Sequence, residues 1–166
     1  MSAAITEMMF AFSALVKFNN TDLGALAKDI KVRLKFKETK FGNTQSDFGI
    51  SKIIKFATDV EVEFDSDNAT IANLQKALGG IGTLAAPTLT IAANTKFKPV
   101  PYTLYVEVHN KNAGIGYDLL KITITNMVAT SEALELLFQR DKNLKVPMKF
   151  VSTSGWSATI TEYTPA

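Results

Sequence analysis

The feature that most constrains how this chain folds is a pair of segments in which apolar and charged residues alternate with a period of two. Over residues 28–37, Ile30, Val32, Leu34 and Phe36 fall on one side and Lys31, Arg33, Lys35 and Lys37 on the other. Over residues 51–65, Phe56, Val60, Val62 and Phe64 share one side and Asp59, Glu61, Glu63 and Asp65 the opposite one. Successive side chains of a strand point to opposite faces, so both segments read as strands with one apolar and one charged face. The first comb is cationic and the second anionic, and a single loop joins them. Paired antiparallel, they set Lys31 against Glu63, Arg33 against Glu61 and Lys35 against Asp59. Each such pair contributes roughly 0.2–1 kcal/mol. A solvated sheet face is the plain account of these residues. The sharper one is a register lock on a hairpin whose other face must stay aligned with a core.

The remaining sequence is also rich in short alternating segments. Residues 8–19 read as a first strand, followed by the turn Asn19-Asn20-Thr21-Asp22. Residues 39–49 form a polar, Gly-containing loop. One helix is expected over residues 68–79: Asp67 or Asn68 caps it, Ile71, Leu74 and Leu78 make one apolar stripe, and Gly79-Gly80 ends it. Residues 81–87 read as a loop. Strands follow at 88–92, 102–109, 119–127, 133–139, 146–152 and 157–163, although 131–140 mixes both periods and also admits a short helix. The expectation is one domain over residues 1–166, all-β with one flanking α-helix, built as a two-sheet antiparallel β-sandwich or barrel. Periodicity does not give the strand order. A chain of 166 residues buries roughly 70% of its unfolded surface, so a core without disulfides is sufficient.

The residues needed for most catalytic chemistry are sparse. There is no Cys, which removes thiol nucleophiles and thiolate metal sites, and the single His, His109, falls at a strand end beside a turn. The carboxylates Asp59, Glu61, Glu63, Asp65 and Asp67 read as a salt-paired comb and a helix cap rather than a glycosidase pair. Counted from Asp65 as an EF-hand, positions 6 and 12 hold Thr70 and Lys76 where Gly and Glu are required. Gly79-Gly80-Ile81-Gly82 follows a helix, whereas a phosphate cradle precedes one. Trp156 reads as an anchor beside the last strand. Net charge is +2, short of the basic excess of a duplex-binding domain. No apolar run reaches the roughly 20 residues of a membrane span. The longest, residues 8–16, follows Glu7 without a basic segment and is not read as a signal peptide. The chain is accordingly read as a non-enzyme with no metal and no cofactor.

Two stretches carry a resemblance. In the first, Leu23-Gly24 precedes a strand, a long hairpin loop, a strand ending Val60-Glu61-Val62-Glu63-Phe64, and the helix from Asn68 to Leu78. In the second, Ile124-Thr125-Asn126-Met127 leads to Leu134-Glu135-Leu136-Leu137-Phe138-Gln139-Arg140-Asp141 and then Val146-Pro147-Met148-Lys149-Phe150. In order and spacing these resemble the major tail tube protein family of long-tailed bacteriophages, related to the tubes of contractile tails, type VI secretion and gene transfer agents. Residues 80–101 carry no family signature.

The resemblance implies a tail-tube type sandwich whose copies form hexameric rings. Each copy would contribute strands to a barrel around a channel, and the rings would stack into a tube. It implies a protein of the virion tail, assembled in the bacterial host cytoplasm. Its partners would be itself, a tape measure protein inside the tube, tail terminator and tail tip proteins, and double-stranded DNA in non-specific transit. Within that frame Lys31, Arg33, Lys35, Asp59, Glu61 and Glu63 are the lumen-facing candidates. The loop 39–49, through Phe41, Gly42, Asp47 and Phe48, is the expected inter-ring contact, and replacing Phe41 and Phe48 by Ser is expected to prevent stacking. The competing reading is a β-sandwich module that binds carbohydrate or protein at a tail tip or cell surface. A carbohydrate-active enzyme ranks behind both.

Overall fold

In the computed structural model, residues 2–10, 14–23, 30–42, 50–67, 69–110, 118–130, 133–138, 140–142 and 144–163 are described. The strands are β1 (Ser2–Phe10), β2 (Ala14–Phe18), β3 (Thr21–Asp22), β4 (Ile30–Gly42) and β5 (Ile50–Ser66), followed by the helix α1 (Ile71–Ala77). Then come β6 (Thr83–Ala85), β7 (Thr88–Thr90), β8 (Tyr102–Asn110), β9 (Asp118–Ala129), β10 (Val146–Ser152) and β11 (Ala158–Tyr163). The chain is all-β with one flanking helix. The main sheet has nine strands in the order β1-β4-β5-β10-β9-β8-β2-β3, with β11 paired to β9, and β6 and β7 form a separate hairpin. All of the pairs are antiparallel.

The long sheet curls so that one face encloses the core. Val16, Ile30, Val32, Val60, Val62, Leu104, Val106, Ile122, Ile124, Val146 and Phe150 alternate with exposed or half-buried neighbours on six strands, and all are buried. Phe150 of β10 meets Phe18 of β2 with ring centroids 4.8 Å apart, although two strands separate them along the sheet. Among the described residues the sheet does not close by strand pairing. Two side chains tie the β3 end of the sheet back to β5 and α1: the Leu23 carbonyl, just past β3, accepts from Ser66 Oγ at 2.7 Å and from Asn73 Nδ2 at 3.4 Å. Ser66, at the end of β5, and Asn73, in α1, are the buried polar residues among those described. An unpaired buried carbonyl costs about 1–3 kcal/mol. Ser66→Ala is therefore expected to lower unfolding stability by about 1–2 kcal/mol, read from denaturant midpoints; no change would mean that Asn73 alone suffices for the Leu23 carbonyl.

Several boundaries depart from expectation. The first strand is two, β1 on β4 and β2 on β8, on opposite ends of the sheet path. Asn19 and Asn20 both adopt positive φ, 51° and 58°, forming the tight turn between β2 and β3. The helix is capped by Thr70, whose Oγ1 accepts from the Asn73 amide at 3.2 Å, rather than by Asp67 or Asn68; Asn68 lies outside the described residues. Asn73 and Ala77 are its buried residues; the stripe Ile71, Leu74 and Leu78 is half-buried, with Leu74 packed against the core. Gly79 and Gly80 end it with φ of 79° and 91°. Residues 83–85, expected in a loop, pair with β7, and residues 133–138 are neither strand nor helix.

Candidate assembly surface

The hairpin β4–β5 has the register its charge pattern dictates: Lys31 pairs with Glu63, Arg33 with Glu61 and Lys35 with Asp59. These six residues share one face, opposite the buried Ile30, Val32, Val60 and Val62. The ion pairs run diagonally as well as straight across. Glu61 lies at the centre, 2.5 Å from Lys35 Nζ and 3.0 Å from Arg33 Nη1. Arg33 also reaches Glu63 at 3.7 Å, and Lys35 reaches Asp59 at 3.8 Å. Lys149 of β10, opposite Glu63 in the sheet, extends the network at 3.4 Å. The alternating segments of β4 and β5 gave no signal for Lys149, because its place beside Glu63 depends on strand order.

The hydrogen bond from Lys35 is the main reason the Glu61 carboxyl is held below its ordinary value of 4.5; burial opposes this, and the Arg33 hydrogen bond and the Lys149 charge reinforce it. A carboxyl depressed in the folded state contributes stability that is present above the unfolded value and is lost as pH falls through the folded one. Glu61→Gln is thus expected to cost about 1 kcal/mol at neutral pH, for a partly exposed pair of ion pairs. It should also flatten the decline of stability below about pH 4.5, which urea midpoints from pH 3 to 7 would reveal.

Beyond the comb, the hairpin changes character. The register shifts by one between Lys35 and Phe36, where Phe36 pairs with Ala57 and Thr58 is left as the extra residue of a bulge. Side chains of neighbouring elements bond to the bulge and to the strand beside it. Trp156 Nε1 donates to the Thr58 carbonyl at 3.1 Å, Thr58 Oγ1 donates to the Lys35 carbonyl at 3.1 Å, and the Val60 amide donates to Ser152 Oγ at 2.9 Å. The half-buried Trp156 thus anchors the last strand region to the bulge.

The bulge reverses which side chains face the core. Phe56, expected beside Val60, Val62 and Phe64, instead pairs with Lys37 on the charged face, with the Lys37 ammonium 6.0 Å from its ring centroid. Ile54 and Phe41 follow on that same face, opposite Thr39 and Lys52. Phe41, Ile54 and Phe56 are 47%, 41% and 46% exposed. Along this arm, β10 leaves β5 after Glu61, so among the described residues the outer edge of β5 over 52–57 has no strand partner.

The expected contact loop does not begin at Thr39. Residues 39–42 continue β4, so Phe41 is a strand residue paired with Lys52, and Gly42 is the last residue of the strand, opposite Ile50. Asp47 and Phe48 lie outside the described residues. Ile54 and Phe56 were missed as surface residues because nothing in the alternation marks Thr58 as extra. Among the described residues no cluster of three His, Cys, Asp or Glu side chains is arranged to hold a metal ion. Among the described residues no helix is long and apolar enough to cross a membrane. No family model, curated protein or solved structure matches the chain.

Proposed function

We propose that this protein is the structural subunit of a phage tail tube, self-assembling into stacked, hexameric rings whose channel delivers a genome into the host. One observation carries the reading: a charge-balanced face runs straight onto an arm whose apolar side chains Phe41, Ile54 and Phe56 are half exposed and whose outer edge has no strand partner among the described residues. Exposed strand edges and apolar patches are aggregation liabilities unless another chain covers them. A ring of identical subunits covers both by placing each arm against its neighbour. The order and spacing of the tail-tube resemblance gives the partners: further copies, a tape measure protein during assembly, terminator and tip proteins, and DNA in transit.

In this reading Lys31, Arg33, Lys35, Asp59, Glu61 and Glu63 line or border the channel. Three cations are set against three anions, so the face offers little net attraction to a polyanion. Passage, rather than retention, follows. Sedimentation velocity over rising protein concentration tests the proposal. Species far larger than the 18.1 kDa monomer, unaffected by a chelator, are expected. A monomer at every concentration would favour a tail-tip or cell-surface binding module instead. Saturable sub-micromolar duplex binding by the assembled protein at physiological salt would contradict the non-retaining channel.

A further inference from the structure

Away from the hairpin arm, the surface carries a pocket and a knob of matching character. The pocket, about 230 Å³, lies where the end of α1 meets β2, β8 and the segment after β7. Phe18, Phe97, Pro99, Val100 and Tyr102 make its apolar lining and Lys76 is its one charged residue. Gly80 forms part of the wall because a Cβ there would stand 3.3 Å from the Phe97 ring. The volume falls short of the roughly 300–1,000 Å³ usual for small-molecule sites. It suits one or two inserted side chains. Lys76 is partly buried, burial pushes its amine below the usual lysine range, and among the described residues it has no ion-pair partner.

The knob belongs to residues 133–138, which run without regular structure between β9 and β10. Leu134 packs on the core and fixes this segment, while Leu137 and Phe138 project, 65% and 77% exposed. Phe138 is the most exposed large apolar side chain among those described. Glu135, also exposed, lies three residues before it.

We infer that the Leu137–Phe138 knob of one copy seats in the Phe97–Tyr102 pocket of the next, with Glu135 paired to Lys76. The occupant is a second copy because this chain itself supplies the complement on both counts: an aromatic knob for an apolar pocket, and a carboxylate for the pocket's unpaired ammonium. The pocket lining holds no second cation to oppose Arg140 and Lys142, which follow the knob. The two surfaces are different patches of one molecule, so the contact is head-to-tail, and repeating it yields a ring if the rotation closes and a filament if it does not. A single knob is too small to be a whole interface, for which about 1,000 Å² is needed. It acts as the buried aromatic anchor within one. The inference deepens the tube reading by naming a contact between copies, and it stands or falls on its own measurement.

The experiment uses two full-length variants, each keeping one half of the contact. Leu137→Ser/Phe138→Ser lacks the knob, and Phe97→Ser/Val100→Ser lacks the apolar lining; all four positions are about half exposed or more and none belongs to the buried core, so the folds are expected to be preserved, as circular dichroism would check. Each variant alone is expected to need roughly thirty-fold higher concentration than wild type to associate, the effect of losing one anchor. Mixed, the two form a one-to-one pair, since one brings the intact pocket and the other the intact knob. In wild type mixed from isotopically light and heavy copies, a zero-length carbodiimide cross-link joins Lys76 of one copy to Glu135 of another. Tubes that form normally from the knob-less variant, without that cross-link, would overturn the inference and leave the tube reading standing. A one-to-one pair with the cross-link, but only open chains from wild type, would uphold the inference and count against the tube. A wild-type protein that never associates would overturn both.

Discussion

Replacing Phe41, Ile54 and Phe56 together by Ser is expected to abolish assembly while the single chain stays folded, at a cost of about 1–3 kcal/mol in unfolding stability because each side chain is also about half buried. The three side chains share one face of the β4–β5 arm beyond the bulge, and each is close to half exposed. Covering what remains exposed contributes roughly 1 kcal/mol per side chain. Three per contact amount to about 3 kcal/mol, or about a hundredfold in association, and closure of a ring repeats the loss at every interface. Light scattering and thermal melting on the same sample separate the two effects. Undiminished assembly would show that the arm is not covered by a neighbour. A collapse of the melting temperature would show that these residues support the fold of the single chain.

The largest effect on the fold itself is expected at Phe150. This fully buried ring sits between Phe18, 4.8 Å away, and Phe64, 6.0 Å away, and its backbone pairs with Val62 on one side and Ala129 on the other. It therefore ties β2, β5, β9 and β10 around one point. Phe150→Ala should cost about 3–5 kcal/mol, the sum of lost burial and the cavity left behind. Urea unfolding of the variant measures this directly. A loss below about 1 kcal/mol would mean that the curled sheet collapses to refill the space, and that the core is looser than its packing indicates.

How much of this was legible in the sequence depends on which interactions decide each element. The β4–β5 register was legible, because opposite charges alternate on the two strands and only one alignment pairs Arg33 with Glu61 and its neighbours with their counterparts. The helix stop at Gly79-Gly80 was legible for a local reason, the positive φ that both residues adopt. The bulge at Thr58 was not. Residues 56, 58, 60, 62 and 64 keep an unbroken parity, and the bulge is held by distant partners, the Trp156 indole and the Ser152 hydroxyl. That one unseen residue moved Phe56 from an expected core position to the surface. The helix cap was misplaced because Asp67, Asn68 and Thr70 all have capping side chains within one turn, and only the geometry chooses Thr70. No pattern in the sequence marks Ser66 or Asn73; their role in tying the sheet to the Leu23 carbonyl depends on how far the sheet curls. The six comb residues were thus found together by sequence alone, whereas the apolar half of the same surface required the bulge to be seen.

The central claim is that this chain is made to be covered by copies of itself. Electron microscopy of the purified, untagged protein at rising concentration tests it most directly. The account predicts rings with a central hole, stacking into hollow tubes, and in averaged images a channel wall at which Lys31, Arg33, Lys35, Asp59, Glu61 and Glu63 lie. Small featureless particles at every concentration, or tubes with those six residues on the outer wall, would contradict it.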